Sequence, residues 1–220
     1  MTREEQLSGC HVTMQTLLVA TWNPHKTKEI GQILGSGWNV RDLAALVEAP
    51  RVEETGSTFA QNAALKAVSV SESFPELVLA DDSGLAVDVL NGEPGVYSAR
   101  FAGEGATDAQ NRSKLIGLLK ALPATEFRAR FCCEMVLASK GEIQGSFSGT
   151  VEGIVVPLER GDHGFGYDSM FIPAGYSETF AELPSEIKNR LSHRARALAQ
   201  VVAFLQNNGV QEFKEFRSSE

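Results

Sequence analysis

Asp81-Asp82-Ser83-Gly84 follows the short apolar run Leu77 to Ala80 directly. Two adjacent carboxylates repel each other and resist burial unless a cation lies between them and a substrate. Mg²⁺ prefers carboxylate and phosphate oxygens, and open α/β sheets hold their ligands beyond the carboxyl ends of their strands. The plainer alternative is an Asp-rich turn in which one Asp caps the chain. Glu53-Glu54-Thr55-Gly56 supplies a second acidic pair, ahead of a segment carrying Asn62 and Lys66. Viewed alone, that pair is a solvated loop.

Thr21-Trp22-Asn23-Pro24-His25-Lys26 forms a polar turn between an apolar run and a helical pattern. A strand, a short turn and a helix aim backbone N–H groups at a phosphate, and Lys26 adds a cation. The spacing is not that of a P-loop, and a surface turn would look much the same. The C-terminal half holds a third set: Gly164 and Gly166 around Phe165, then Tyr167, Asp168, Lys188, His193 and Arg194. The glycines let a ligand approach the backbone, and the aromatics offer a face to a base. The cations could meet phosphate or a base carbonyl, although viewed alone a solvated helix face explains them better. Neither Cys132 nor Ser83 has a local His partner, so a covalent nucleophile is disfavoured. Carboxylates for a metal, cations for phosphates and an aromatic loop for a base together describe a nucleotide hydrolase.

Positioning these groups requires a particular set of elements. Thr16 to Thr21 is expected to be a buried first strand, followed by a helix over Lys28 to Leu34. Thr58 caps a helix that runs to about Ser73 with Phe59, Ala63, Ala67 and Val70 on one face. Leu77 to Ala80 is expected as one strand, with the acidic pair in a turn after it, and Leu85 to Leu90 as the next. A helix over Asp108 to Leu122 stops before Pro123. Arg128 to Ala138 and Glu142 to Val156 make a hairpin around Ser139-Lys140-Gly141. Met170 to Ile172 is a short strand. The last helix covers Ser185 to Asn207 with a break near Ser192, whose hydroxyl can cap the second part. The fold class is α/β, with a mixed central sheet flanked by helices and two lobes around a cleft.

The 220 residues carry a formal charge of −8, with 43% hydrophobic and 22% charged residues. A disordered chain would hold fewer apolar residues. An acidic protein is a poor general binder of nucleic acid or anionic membrane. The apolar runs are far shorter than the ~20 residues that span a bilayer. Three cysteines without a CxxC pair argue against a disulfide framework or a usual zinc site. The first residues lack the apolar centre of a secretory signal. A flexible extension over 1–13, one domain over 14–210, a loose tail over 211–220 and a cytoplasmic location are therefore expected.

Read together, LVATWNPHKTKEI, EETGSTFAQNAALKA, LADDSGLAVDVLNGEPGVYSARFAG, GFGYDSMF and AELPSEIKNRLSHRARAL resemble the inosine/xanthosine triphosphate pyrophosphatases. The resemblance covers Leu18 to about Leu198. It implies hydrolysis of ITP, dITP or XTP to the monophosphate and pyrophosphate, with Mg²⁺ as cofactor, in a homodimer. It implies Asp82 as general base and metal ligand, and one of Glu53 and Glu54 as a further ligand. Thr21, Trp22, Asn23, Pro24, His25 and Lys26 would cradle phosphates, and Ser83 would touch the substrate. Phe165, Gly166, Tyr167, Asp168, Lys188, His193 and Arg194 would hold base and sugar. Two positions depart from the family pattern. Trp22 stands where the first motif has glycine, so its side chain must turn away from any phosphate. Ala195 follows Arg194 where glycine is usual, a benign change in a helix. The alternatives are a related pyrophosphatase for pyrimidine triphosphates and a module that binds nucleotide without hydrolysis.

Overall fold

In the computed structural model, residues 15–207 are described. The expected extension over 1–13 and tail over 211–220 lie outside the described residues. Six strands form one mixed sheet in the order β2-β1-β3-β4-β5-β6. β1 (Gln15–Val19) runs parallel to both β2 (Trp38–Asp42) and β3 (Leu77–Val87). β4 (Phe127–Ser139) and β5 (Glu142–Val155) form the expected antiparallel hairpin beside β3, and β6 (Phe171–Pro173) pairs with the end of β5.

Side chains alternate across a strand, and β1 shows what each face buries. Leu17 and Val19 pack with Ile30 of α1 (Pro24–Leu34) and with Leu198 and Val201 of α5 (His193–Asn207). Leu18 and Ala20 pack with Ala63, Ala67 and Val70 of α2 (Phe59–Ser73) on the other face. A third core fills the far halves of β3, β4 and β5, where Leu85, Phe131 and Val151 meet Leu115 and Leu119 of α3 (Asp108–Lys120). The long strands thus pass through two lobes, and the cleft lies at the waist between them. Among the described residues, no helix is long and apolar enough to cross a membrane.

Three elements differ from the sequence expectation. α1 begins at Pro24 rather than Lys28, because Asn23 caps it by accepting the His25 N–H and Pro24 takes the first turn. The sequence pattern does not mark β2, an edge strand with no fully buried residue. The largest difference is β3. The segment Asp81 to Gly84 is not a turn after the strand but its middle, paired residue by residue with Met135 to Cys132 of β4. Gly84 is needed there: a Cβ would overlap Ser98 and the Gly95 carbonyl. The expected break in the last helix is present. α4 (Ser185–Leu191) ends before Ser192, whose hydroxyl accepts the Ala195 N–H at 3.2 Å.

Candidate active site

β1 and β3 stop pairing at Val19 and Leu79, and β3 runs on. Beyond that point the free edge of β3 is met by ammonium groups instead of a strand. The Asp81 carbonyl accepts Lys66 Nζ at 2.9 Å and Lys26 Nζ at 3.3 Å. α1 leaves β1 over one face and α2 enters β3 over the other, so this is the crevice at the sheet's switch point. Here Asp82, Ser83, the Thr21–Asn23 turn, Lys26, Lys188 and His193 line a cleft of about 310 Å³.

Alternation along β3 sends the two aspartates to opposite faces. Asp81 faces α1 and α5 and is wholly buried. It accepts Arg194 Nε at 2.9 Å, Ser83 Oγ at 2.8 Å and the Cys133 thiol at 3.2 Å, and it pairs with Lys26. Burial opposes its ionisation, but Arg194 and Lys26 hold the carboxyl well below the usual aspartate range. Arg194 also pairs with Glu29, Glu29 with Lys188, and Lys188 with Asp168 at 2.6 Å. Charges therefore alternate in sign along Lys26–Asp81–Arg194–Glu29–Lys188–Asp168, from the phosphate turn to the aromatic loop. Each of these charges is partnered, as burial demands.

Asp82 faces α2. It accepts Lys66 Nζ at 2.8 Å and Asn62 Nδ2 at 3.3 Å. Burial pushes its pKa up, and Lys66 offsets this only in part. Lys66 Nζ is also 2.8 Å from Glu54, whose other oxygen takes Arg100 at 3.1 Å. Burial works against ionised Glu54, yet Lys66 and Arg100 bring its pKa below the usual value. Two carboxylates of the cleft lining thus flank the Lys66 ammonium. Glu54 lines the cleft, whereas Glu53 is exposed outside it.

The loop Gly164 to Asp168 forms the opposite wall. Asp168 accepts the Phe165 N–H at 2.9 Å, and Gly166 is clamped by α3 through Asp108 (2.7 Å) and Arg112 (2.9 Å). The buried Tyr167 hydroxyl donates to the Ser98 carbonyl at 2.9 Å. Lys188 Nζ lies 5.1 Å from the centre of the Phe165 ring. His193 is buried and stacked on Phe131 at 4.8 Å and 11°. Burial and the nearby Arg194 keep its imidazole neutral, with pKa well below 6.5, and its Nδ1 has no partner. A neutral ring of this kind can donate to or accept from a base. α5 reaches this depth because β5 has Gly149 beneath it, where a Cβ would overlap the His193 carbonyl.

The structure therefore gathers most of the residues singled out in the sequence. Thr21 accepts the Asn23 N–H at 3.1 Å and shapes the turn. Trp22 lines the mouth with its side chain half exposed. His25 stacks on Phe165 at 5.3 Å from outside the cleft lining. Lys188, His193 and Arg194 do not form a solvated helix face; they are buried. Sequence reasoning missed Glu29, Arg100 and Asp108, and it assigned Lys66 no role. Two of these were signalled: Glu29 lies three residues from Lys26 beside buried Ile30, and Lys66 interrupts the stripe Ala63, Ala67, Val70. A charge on an apolar helix face needs a buried partner.

An α/β sheet with cations and carboxylates at its switch point, facing an aromatic loop, is the arrangement of a nucleotide hydrolase. Residues 17–204 match the model of the Ham1 family, and the chain belongs to that family. A dITP/XTP pyrophosphatase of Bacillus subtilis (strain 168) is 42% identical over 196 residues, covering 89% of this chain and 99% of the relative. One from Geobacter sulfurreducens is 45% identical over 200 residues, covering 90% and 100%. The fold matches the Ham1 protein of Staphylococcus aureus with a TM-score of 0.76 and 37% identity, covering 89% of this chain and 100% of that one. A HAM1 protein from Coxiella burnetii matches with the same TM-score at 34% identity, covering 88% and 100%.

Proposed function

We propose that this chain hydrolyses ITP, dITP and XTP to the monophosphate and pyrophosphate, keeping non-standard purines out of DNA and RNA. The observation that carries the reading is that Asp82 and Glu54 converge beside the phosphate turn, with Lys66 Nζ 2.8 Å from each. Relatives named dITP/XTP pyrophosphatase, 42–45% identical over most of the chain, support the same substrate class.

The donor set fits Mg²⁺. Among the described residues, no three His, Cys, Asp or Glu side chains form a metal cage, and Mg²⁺ commonly uses one or two carboxylates with substrate phosphates and water. Asp82 and Glu54 would hold it, whereas Glu53 faces solvent. When bound, the ion would neutralise phosphoryl oxygens. The turn from Thr21 to Lys26, with the Lys26 ammonium, holds the β and γ phosphates. Asp82, ionised, takes a proton from the water that attacks the α-phosphorus. The new P–O bond forms as the bond to the pyrophosphate oxygen breaks, so no covalent enzyme intermediate arises. Phe165 stacks on the base, and Lys188, His193 and Arg194 face its 6-keto edge. Donors directed there would leave adenine with a donor–donor mismatch.

We further propose that the catalytic unit covers residues 14–210, works as a homodimer as the resemblance implies, and acts in the cytoplasm, in keeping with the three cysteines that form no disulfide framework. The test is kcat/KM and product for ITP, XTP, GTP, ATP and TTP at one Mg²⁺ concentration. Preference for ITP and XTP with pyrophosphate release is expected. A preference for TTP would transfer the protein to the pyrimidine reading, and binding without turnover would leave only a nucleotide-binding module.

A further inference from the structure

The reaction uses Asp82, but its neighbour is the more heavily connected group. Asp81 is fully buried and does not line the cleft. Its carboxylate nevertheless meets two of the cations that do line the cleft. Lys26 comes from the first turn of α1, and Arg194 comes from the first turn of α5. These helices are far apart in the chain, and this one side chain pairs with a cation from each. Arg194 also bonds Ser83 at 3.0 Å, and Ser83 returns a bond to Asp81 at 2.8 Å. From the strand behind, the Cys133 thiol donates at 3.2 Å to the same oxygen that accepts Arg194 Nε.

Asp81 sits on a β-ladder held by β4, so its position is fixed more firmly than that of either long cation. Lysine and arginine side chains lose much rotamer freedom when held in one place. A rigid anion between them supplies the partner that makes this ordering favourable. Without it, the Lys26 ammonium keeps only a backbone carbonyl, and Arg194 keeps Glu29 and Ser83.

We infer that Asp81 is the positioning residue of this site, one carboxylate that sets the phosphate-binding Lys26 and the base-reading Arg194 together, with Cys133 orienting it. This rests on the reading of the cleft as a purine triphosphate site. It goes beyond that reading by making phosphate grip and base discrimination depend on a residue that contacts neither. A group that merely stabilised the fold would weaken all ligands alike. A group tied to one end would change one kind of selectivity only.

The experiment is equilibrium binding by calorimetry in EDTA, which excludes turnover, using ITP, IMP and ATP on the full chain. The ratio Kd(IMP)/Kd(ITP) reads the phosphate grip, and Kd(ATP)/Kd(ITP) reads the base. Removing the charge of a buried, hydrogen-bonded carboxylate is expected to lower each ratio by about tenfold or more in Asp81→Asn. In steady state the same variant should raise KM for ITP more than it lowers kcat. Retention of either ratio within about twofold in folded Asp81→Asn overturns the inference. Should that variant fail to fold, Cys133→Ala and Cys133→Ser decide the question. Loss of the thiol donor should lower both ratios about threefold, and the serine hydroxyl should restore them. Equal ratios in the alanine variant and the wild type would refute the coupling. Wild-type protein that binds ITP no better than ATP would instead refute the purine reading itself, a separate result.

Discussion

Asp82→Asn tests the mechanism most directly. The substitution keeps the side-chain volume and removes the base. Proton transfer by a positioned side chain contributes about 10²- to 10⁴-fold, or about 3–5.5 kcal/mol of barrier. kcat for ITP should fall by that amount, read as pyrophosphate release. The fold should survive, because two effects oppose each other. Asn62 Oδ1 accepts the Gly56 N–H at 2.8 Å, so its Nδ2 is the group facing Asp82. An asparagine that turns its oxygen to Lys66 presents its own NH₂ to Asn62, costing about 1 kcal/mol. Against this, burial raises the Asp82 pKa. The stability it contributes is present below the unfolded value of 3.8 and is lost as pH rises through the folded one. At neutral pH the charge is a net cost, and removing it returns that cost. The melting temperature should therefore stay within about 4 °C of wild type. The same raised pKa gives wild-type kcat/KM an acid limb: activity falls as pH drops through a midpoint above 3.8, because the base must be ionised. Turnover within about tenfold of wild type, or an unchanged acid limb in the residual activity of the variant, would refute Asp82 as base.

Glu54→Gln should raise the Mg²⁺ concentration for half-maximal rate by about tenfold or more, while Glu53→Gln should leave it unchanged; a Mg²⁺ titration of both variants decides between the two carboxylates. Hydrolysis in ¹⁸O-labelled water should place the label in the monophosphate, and label in pyrophosphate by mass spectrometry would contradict attack at the α-phosphorus. Gly149→Ala forces a Cβ against the His193 carbonyl; it should cost about 1–3 kcal/mol, lower the melting temperature and raise KM for ITP. Tyr167→Phe loses only the bond to the Ser98 carbonyl, so it should destabilise by about 1 kcal/mol in a denaturant titration with kcat near wild type.

Local pattern determined much of this protein. The α2 stripe, the β4–β5 hairpin, the break at Ser192 and the mixed α/β class follow from side-chain period and from caps, which act over a few residues. That each aspartate needs a cationic partner was also legible, because a carboxylate beside a buried strand is not buried unpaired. Edge strand β2 was not legible: no residue in it is fully buried, so no period of two is imposed.

Only the tertiary structure decided what the two aspartates do. The polar, glycine-ended segment Asp81 to Gly84 has the composition of a turn, yet β4 holds it extended. Extension turns Asp81 and Asp82 to opposite faces, one into the buried charge chain and one into the cleft. Which of Glu53 and Glu54 enters the site was likewise settled by Lys66 and Arg100, which arrive from α2 and from the segment Gly95–Arg100. Lys188, His193 and Arg194 carry the signature of a solvated helix face, and burial reverses it because Glu29, Asp168 and Asp81 wait on other elements. A charge can be buried only where its partner is, and the partners here are up to 165 residues away along the chain.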